Sequence, residues 1–179
     1  HVGTALARII AEELEADWAD IRINHVDTEA KYGLFVTGGS WSVWQNFDLL
    51  SRAGAAGRAS LIEEGAKLLG EKPSACKAEN SYVIGNGKRI SFGDIVAKGD
   101  LTRTYSDEQL ATLPIKPRQD RKLVGMQTMA TDIPAKTNGT AVYGIDATYP
   151  GMVYAKPMMP PTRHGSVVKG VDDSAAKSL

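Results

Sequence analysis

Apolar residues recur at helical spacing near the start of the chain: Leu6, Ile9, Ile10 and Leu14 in GTALARIIAEELEA, residues 3–16. Positions three and four apart share one face of an α-helix, so an amphipathic helix is expected there, with Thr4 as its N-cap. The pattern then alternates. In DIRINHV, residues 20–26, Ile21, Ile23 and His25 point one way and Arg22 and Asn24 the other, the period of a half-buried strand. From Ser42 to Leu69 the helical period returns, with Val43, Phe47, Leu50, Gly54, Gly57, Leu61 and Leu68 on one stripe. The middle of this helix, AGAAGRAS, is built of small residues. A glycine inside a helix costs roughly 1 kcal/mol against alanine, so these residues are expected where another backbone comes close. Gly70 should cap the helix, and Pro73 should stop it from resuming.

Two short alternating runs flank Asn86-Gly87 in SYVIGNGKRISF, which predicts a hairpin. SFGDIVAKG predicts a short helix capped by Ser91 and ended at Gly99. Residues 101–132 are polar and weakly periodic, which predicts an extended connector lying across a surface. Further strands are expected at 141–146 and 152–159, joined by a Tyr149-Pro150-Gly151 turn, with a third in SVVKGVD. DDSAAKSL should open a helix capped by Asp172 or Asp173. The expected class is α+β, with one unit over 1–113, a connector over 114–132 and a second unit over 133–179.

Composition narrows the function. Lys plus Arg and Asp plus Glu number 21 each, so the net charge is zero and nothing points to nucleic acid. No apolar run approaches the roughly 20 residues of a membrane span. The first residues, HVGTALARII, carry no charged leader and no cleavage site. A helix beginning almost at His1, and another running to the last residue, suggest a piece of a larger polypeptide. Cys76 has no second cysteine to pair with and reads as a small buried residue opening a structured stretch.

His1, His25 and His164 have no spacing that suggests metal binding. His25 is expected half-buried in its strand, His164 exposed and His1 terminal. Asn138-Gly139-Thr140 reads as a turn rather than a glycosylation site. Trp41 and Trp44 read as packing residues, and Lys116, Arg118, Arg121 and Lys122 as a solvated connector.

One stretch carries candidate chemistry. Thr37, Gly38, Gly39, Ser40, Trp41 and Ser42 stand directly before the long helix. A helix start exposes unpaired N–H groups and about half a positive charge. Glycine lets a ligand approach such a backbone closely. As pattern alone, the stretch reads first as a simple cap.

The ordered motifs resemble those of a known family. KLVG, the DIPAK turn, G-x-A-x-Y-G-I-D, P-G-M-V-Y-A and D-x-S-A-A, within residues 122–176, resemble the opening of the α/β hammerhead domain of molybdenum hydroxylases, the xanthine dehydrogenase and aldehyde oxidase superfamily. TALARIIAEELEADWADIRINHVDT and TGGSWSVWQNFDLLSRAGAAGRASLIEEGAKLLG are similar to its molybdopterin-binding segments. Their position before the hammerhead matches the isoquinoline 1-oxidoreductase β-subunit group. The family's Gly-Gln-Gly motif would lie just upstream of His1, and its catalytic glutamate has no counterpart here.

By this resemblance the fold is a partial molybdopterin-binding domain followed by the start of a hammerhead. The implied activity is molybdenum-dependent hydroxylation of an aldehyde or N-heterocycle, with water as the oxygen source. The implied cofactor is molybdenum-molybdopterin, in the plain or the cytosine dinucleotide form, contacted by Thr37 to Ser42. No catalytic residue and no metal ligand is expected in these residues. [2Fe–2S] clusters need several cysteines, so they are expected on a partner iron–sulfur subunit. The other expected partner is the remainder of the molybdenum-binding subunit. The small-residue helix is expected to need that partner surface, so the chain by itself should lack a sharp cooperative melt. The compartment stays open between bacterial periplasm and cytoplasm, leaning to the periplasm. The competing expectations are a noncatalytic interaction module that kept the fold and lost the cofactor, and an unrelated phosphate-binding domain.

Overall fold

The first helix, α1, runs Val2–Leu14. The computed structural model of the chain describes residues 2–27, 29–33, 36, 38–162 and 164–178, so the expectations for His1 and Thr37 lie outside the described residues. Thr4 is not the cap of α1. The helix has already begun at Val2, and Thr4 is buried inside it, its Oγ1 accepting from the Thr131 amide at 3.0 Å.

The long helix is interrupted near its start. α2 covers Trp41–Trp44 and α3 covers Phe47–Leu69. At the break, the Asn46 side-chain amide donates to the Ser42 carbonyl at 3.0 Å, a local bond that competes with the backbone ladder. α3 ends as predicted at Gly70, in the left-handed region at φ +72, with the Glu71 amide closing back on the Ala66 carbonyl. The small residues do admit close neighbours, and those neighbours lie within the chain. A Cβ on Gly54 would stand 2.7 Å from the Ile10 carbonyl oxygen of α1. A Cβ on Gly65 would stand 2.8 Å from Ile95 Cδ1 and 2.9 Å from Val83 Cβ. Val43 and Leu68, assigned by period to the buried stripe, are exposed.

A three-stranded antiparallel sheet follows: β1 Cys76–Glu79, β2 Tyr82–Gly85 and β3 Lys88–Ser91, in that order. The predicted hairpin is present, with Lys88 opposite Gly85 and both turn residues, Asn86 and Gly87, at positive φ. Gly87→Ala should therefore destabilise by about 1 kcal/mol, measured as a lower urea midpoint; an unchanged midpoint would refute the turn assignment. β1 carries no alternation that predicted it. Its own turn, Asn80-Ser81, also has positive φ at both residues. Ser81 is held from outside: its amide donates to the Glu15 carbonyl at 2.9 Å, and its carbonyl accepts from Phe92 at 2.8 Å.

α4, Phe92–Lys98, begins at Ser91, whose Oγ accepts from the Asp94 amide, and ends at Gly99, as expected. Leu61, Val83 and Ile95 form the buried centre between α3, β2 and α4, with Leu14, Ile62, Phe92 and Leu101 packed around it. Cys76 is half-buried at the edge of this cluster.

Three sequence expectations fail here. Residues 21–27 form no strand among the described residues. Arg22 instead folds back on its own turn, donating to the carbonyls of Ala19 and Ile21, both at 2.9 Å. An extended segment becomes a strand only when another backbone completes its hydrogen bonds. His25 is accordingly exposed.

Residues 101–132 are not a free connector. They contain α5, Asp107–Thr112, whose capping box is Ser106 with Gln109. The segment after α5 is bonded to buried carboxylates of α1. Lys116 keeps only 11% of its side-chain exposure, and the Arg121 guanidinium lies 5.1 Å from the Phe47 ring centre, so neither belongs to a solvated connector.

α6, Ile133–Asn138, turns at Gly139 (φ +80), where a turn was expected, and the compact unit ends at Thr140. Within this unit, Lys116, Lys122 and Thr131 are bonded to α1.

The second unit, residues 141–179, contains α7, Ser174–Lys177, with Asp172 Oδ1 accepting from the Ser174 amide. The strands expected at 141–146, 152–159 and in SVVKGVD do not form among the described residues. Their apolar side chains, Val142, Ile145, Val153, Tyr154, Val167 and Val168 among them, stand exposed, since no second backbone pairs with them. His164 is exposed, as expected.

Candidate functional site

The described candidate residues, Gly38 to Ser42, form a tight surface turn leading into α2. Gly39 (φ +53) and Ser40 (φ +57) are both left-handed, and the Trp41 amide donates to the Gly38 carbonyl at 3.2 Å. The backbone amides of Gly39 and Ser40 meet no acceptor among the described residues. Ser40 makes no side-chain cap bond. Residues 38–41 are exposed and Ser42 is half-buried.

The two glycines have different surroundings. Gly38 has no described neighbour within 4 Å of a built Cβ. The space beside Gly39 is filled by the chain itself: a Cβ there would run into the Trp41 indole. Trp41 and Trp44 are 45% and 69% exposed, so the core-packing role expected for them is not met within these residues.

The interruption at Asn46 also moves the long dipole. A macrodipole acts within the first turn of its helix, and that turn in α3 starts at Phe47 rather than at Ser42. What remains at 38–42 for an anion is backbone N–H groups that meet no acceptor among the described residues, and two hydroxyls. This fits the hydrogen-bonding edges of a pterin better than it fits a phosphate charge.

Sequence reasoning missed the larger hollow. An open cleft of about 710 Å³ lies at the N-terminal end of α1, lined by Thr4, Arg22, Ile23, His25, Thr131 and Asp132 among others. Arg22 and His25 were read as alternating strand positions, and a period-two pattern carries no information about a cleft. Among the described residues, no three His, Cys, Asp or Glu side chains gather closely enough to hold a metal ion.

The strongest electrostatic feature lies elsewhere on α1. Glu12 and Glu13 are each only 2% exposed. Burial alone would raise the Glu12 pKa. Hydrogen bonds from Val124, Lys116, Leu123 and Lys122 outweigh it and bring the group from an ordinary 4.5 down to about 2. Glu12 is thus a fully ionised structural anion rather than a proton-transfer group near neutral pH.

No family model matches the chain. Three curated relatives do. A membrane-bound aldehyde dehydrogenase of Gluconacetobacter polyoxogenes, whose name carries pyrroloquinoline quinone, is 58% identical over 180 residues. The match takes in 100% of this chain and 23% of the relative. The β-chain of an isoquinoline 1-oxidoreductase of Brevundimonas diminuta is 28% identical over 98% of this chain and 27% of its own length. One component of a nicotinate dehydrogenase of Pseudomonas putida is 30% identical over 89% of this chain and 13% of its own length. No described helix is long and apolar enough to cross a membrane. The chain is a homologue of these three oxidoreductases and spans about a quarter of their length or less, and their names are consistent with a molybdopterin-binding subunit of the xanthine dehydrogenase and aldehyde oxidase superfamily.

Proposed function

We propose that this chain forms part of the cofactor-binding body of a molybdenum-dependent oxidoreductase acting on an aldehyde or an N-heterocycle, with water as the oxygen source. The observation that carries this reading is similarity along nearly the whole chain to an aldehyde dehydrogenase, an isoquinoline oxidoreductase and a nicotinate dehydrogenase. Molybdenum in its pterin would supply the oxygen-transfer and electron-accepting chemistry. The residues of this chain would bind and orient. The backbone at Gly38 and the amides of Gly39 and Ser40, which meet no acceptor among the described residues, would donate to the pterin, and the hydroxyls of Ser40 and Ser42 would add further bonds. Thr37 and Trp41 complete the set of residues proposed to contact it. Electrons would leave through [2Fe–2S] clusters on a partner chain, because one cysteine cannot ligate a cluster.

The exposed apolar residues of 141–179 and the exposed Trp44 support a further polypeptide surface, the remainder of the molybdenum-binding subunit. The alternative is a noncatalytic module with the same fold. The filled space beside Gly39 favours it to the extent that a ligand is denied that approach.

Metal analysis of the purified assembly separates the readings. Stoichiometric molybdenum supports the enzyme. A molybdenum-free assembly holding pyrroloquinoline quinone, or no cofactor, refutes it. In the full-length subunit, Gly38→Val should lower bound molybdenum at least about tenfold, the loss of roughly 1.4 kcal/mol of binding, while leaving the fold intact by circular dichroism. Unchanged molybdenum would remove residues 38–42 from the site.

A further inference from the structure

We infer that residues 114–124 form a strap that opens and closes over α1 as a unit, and that the Glu12 carboxylate is its lock. Three consecutive amides of the strap converge on this one side chain. Lys122, Leu123 and Val124 donate to Glu12 at 2.9, 2.6 and 2.9 Å, and the Lys116 ammonium adds a fourth bond at 2.9 Å. Successive N–H groups aimed at one point make a concave anion seat, and here the anion belongs to the same chain. Glu13 holds the other end of the strap, accepting from the Lys116 amide at 3.0 Å. Arg58 links the two, donating to the carbonyls of Glu13 at 2.6 Å and Pro114 at 2.9 Å.

The strap contributes nothing to the apolar centre. Leu61, Val83, Ile95 and the side chains packed around them all lie outside residues 114–124. Beyond its half-buried Ile115, Leu123 and Val124, it is held to the body by hydrogen bonds and ion pairs and by the stacking of Arg121 on Phe47. A segment held by polar bonds outside the core can open at a lower free energy than the whole fold. Other charges facing the lock are Glu15, which pairs with Lys116 and Lys122, and Lys77 and Glu79 of β1, which act on Glu15 and Lys122 respectively. Glu12 is therefore a positioning residue. It determines whether residues 122–124 lie against α1, and with them the wall that Val124 shares with Ala5, Ile9 and Phe47.

Hydrogen exchange on the full chain tests this. In Glu12→Gln, exchange at the amides of Lys122, Leu123 and Val124 should rise at least about tenfold, with Val83 and Ile95 as protected as before. In Glu12→Ala, acetate should restore protection at 122–124 where chloride at the same ionic strength does not, because acetate can occupy the vacated seat. Three results would overturn the inference: unchanged exchange at 122–124, an equal rise at Val83 and Ile95, or no advantage of acetate over chloride. A Glu12→Gln protein that fails to fold would also overturn it, since the lock would then belong to the core.

Discussion

Gly54→Leu should lower the unfolding free energy by about 3 kcal/mol, at the upper end of overpacking costs. The obstacle is backbone. The first carbon of any side chain at this position would stand 2.7 Å from the Ile10 carbonyl oxygen and 2.8 Å from Glu13 Cβ. Neither can turn aside without moving α1 off α3. Gly54→Ala isolates the same clash. Helix propensity alone would favour alanine by roughly 1 kcal/mol, so a net loss means that the close approach outweighs propensity. Gly57 is the control within the same helix. Its added carbon would meet only Leu14 Cδ1, at 2.9 Å, the far end of a flexible side chain. Gly57→Ala should therefore be neutral or stabilising. Urea denaturation of the three variants checks the pattern, and a stabilised Gly54→Ala would show that α1 does not lie where described.

Acid should weaken the fold through Glu12. Its carboxylate titrates near 4.5 when free and at about 2 when seated on the strap amides. A depressed folded pKa means that the ionised form stabilises. The stabilisation is complete above about pH 4.5 and is lost as the pH falls toward 2. The full shift corresponds to roughly 3 kcal/mol, and solvent at the edge of the strap screens this to about 2 kcal/mol. Urea midpoints measured from pH 6 down to 2.5 should fall more steeply for the wild type than for Glu12→Gln. Other carboxylates such as Glu64, Glu71 and Asp94, also held low by their partners, titrate in both proteins and cancel in the comparison. Parallel curves would mean that Glu12 carries no such linkage.

Elements whose signals are local were legible. Asn86-Gly87 makes a tight turn wherever two alternating runs flank it, and Ser91 and Gly99 bracket α4 by side-chain and backbone chemistry confined to a few residues. The α5 cap, Ser106 with Gln109, was equally local and was overlooked because residues 101–132 look polar throughout. β1 was invisible for a different reason. Its turn needs Asn80 and Ser81 both left-handed, and the Ser81 conformation is held by α1 and α4 rather than by its own preference. The candidate site was legible as a segment but not as a geometry. The sequence pattern joins Ser42 to a long helix, and a single side-chain bond from Asn46 separates them.

The amino-acid order by itself determined the middle of the α3 stripe, the hairpin, the caps at Gly70, Ser91 and Gly99 and the family likeness, because each rests on spacing or on chemistry between near neighbours. Tertiary structure alone decided the fate of Glu12 and Glu13. Hydropathy places two adjacent glutamates in water, yet both lie buried, their charge carried by amides and cations far along the chain, from Arg58 to Val124. Strands at 20–26 and beyond 141 failed for the converse reason. Alternation marks a segment able to pair, and only a second backbone at hydrogen-bonding distance makes it a strand.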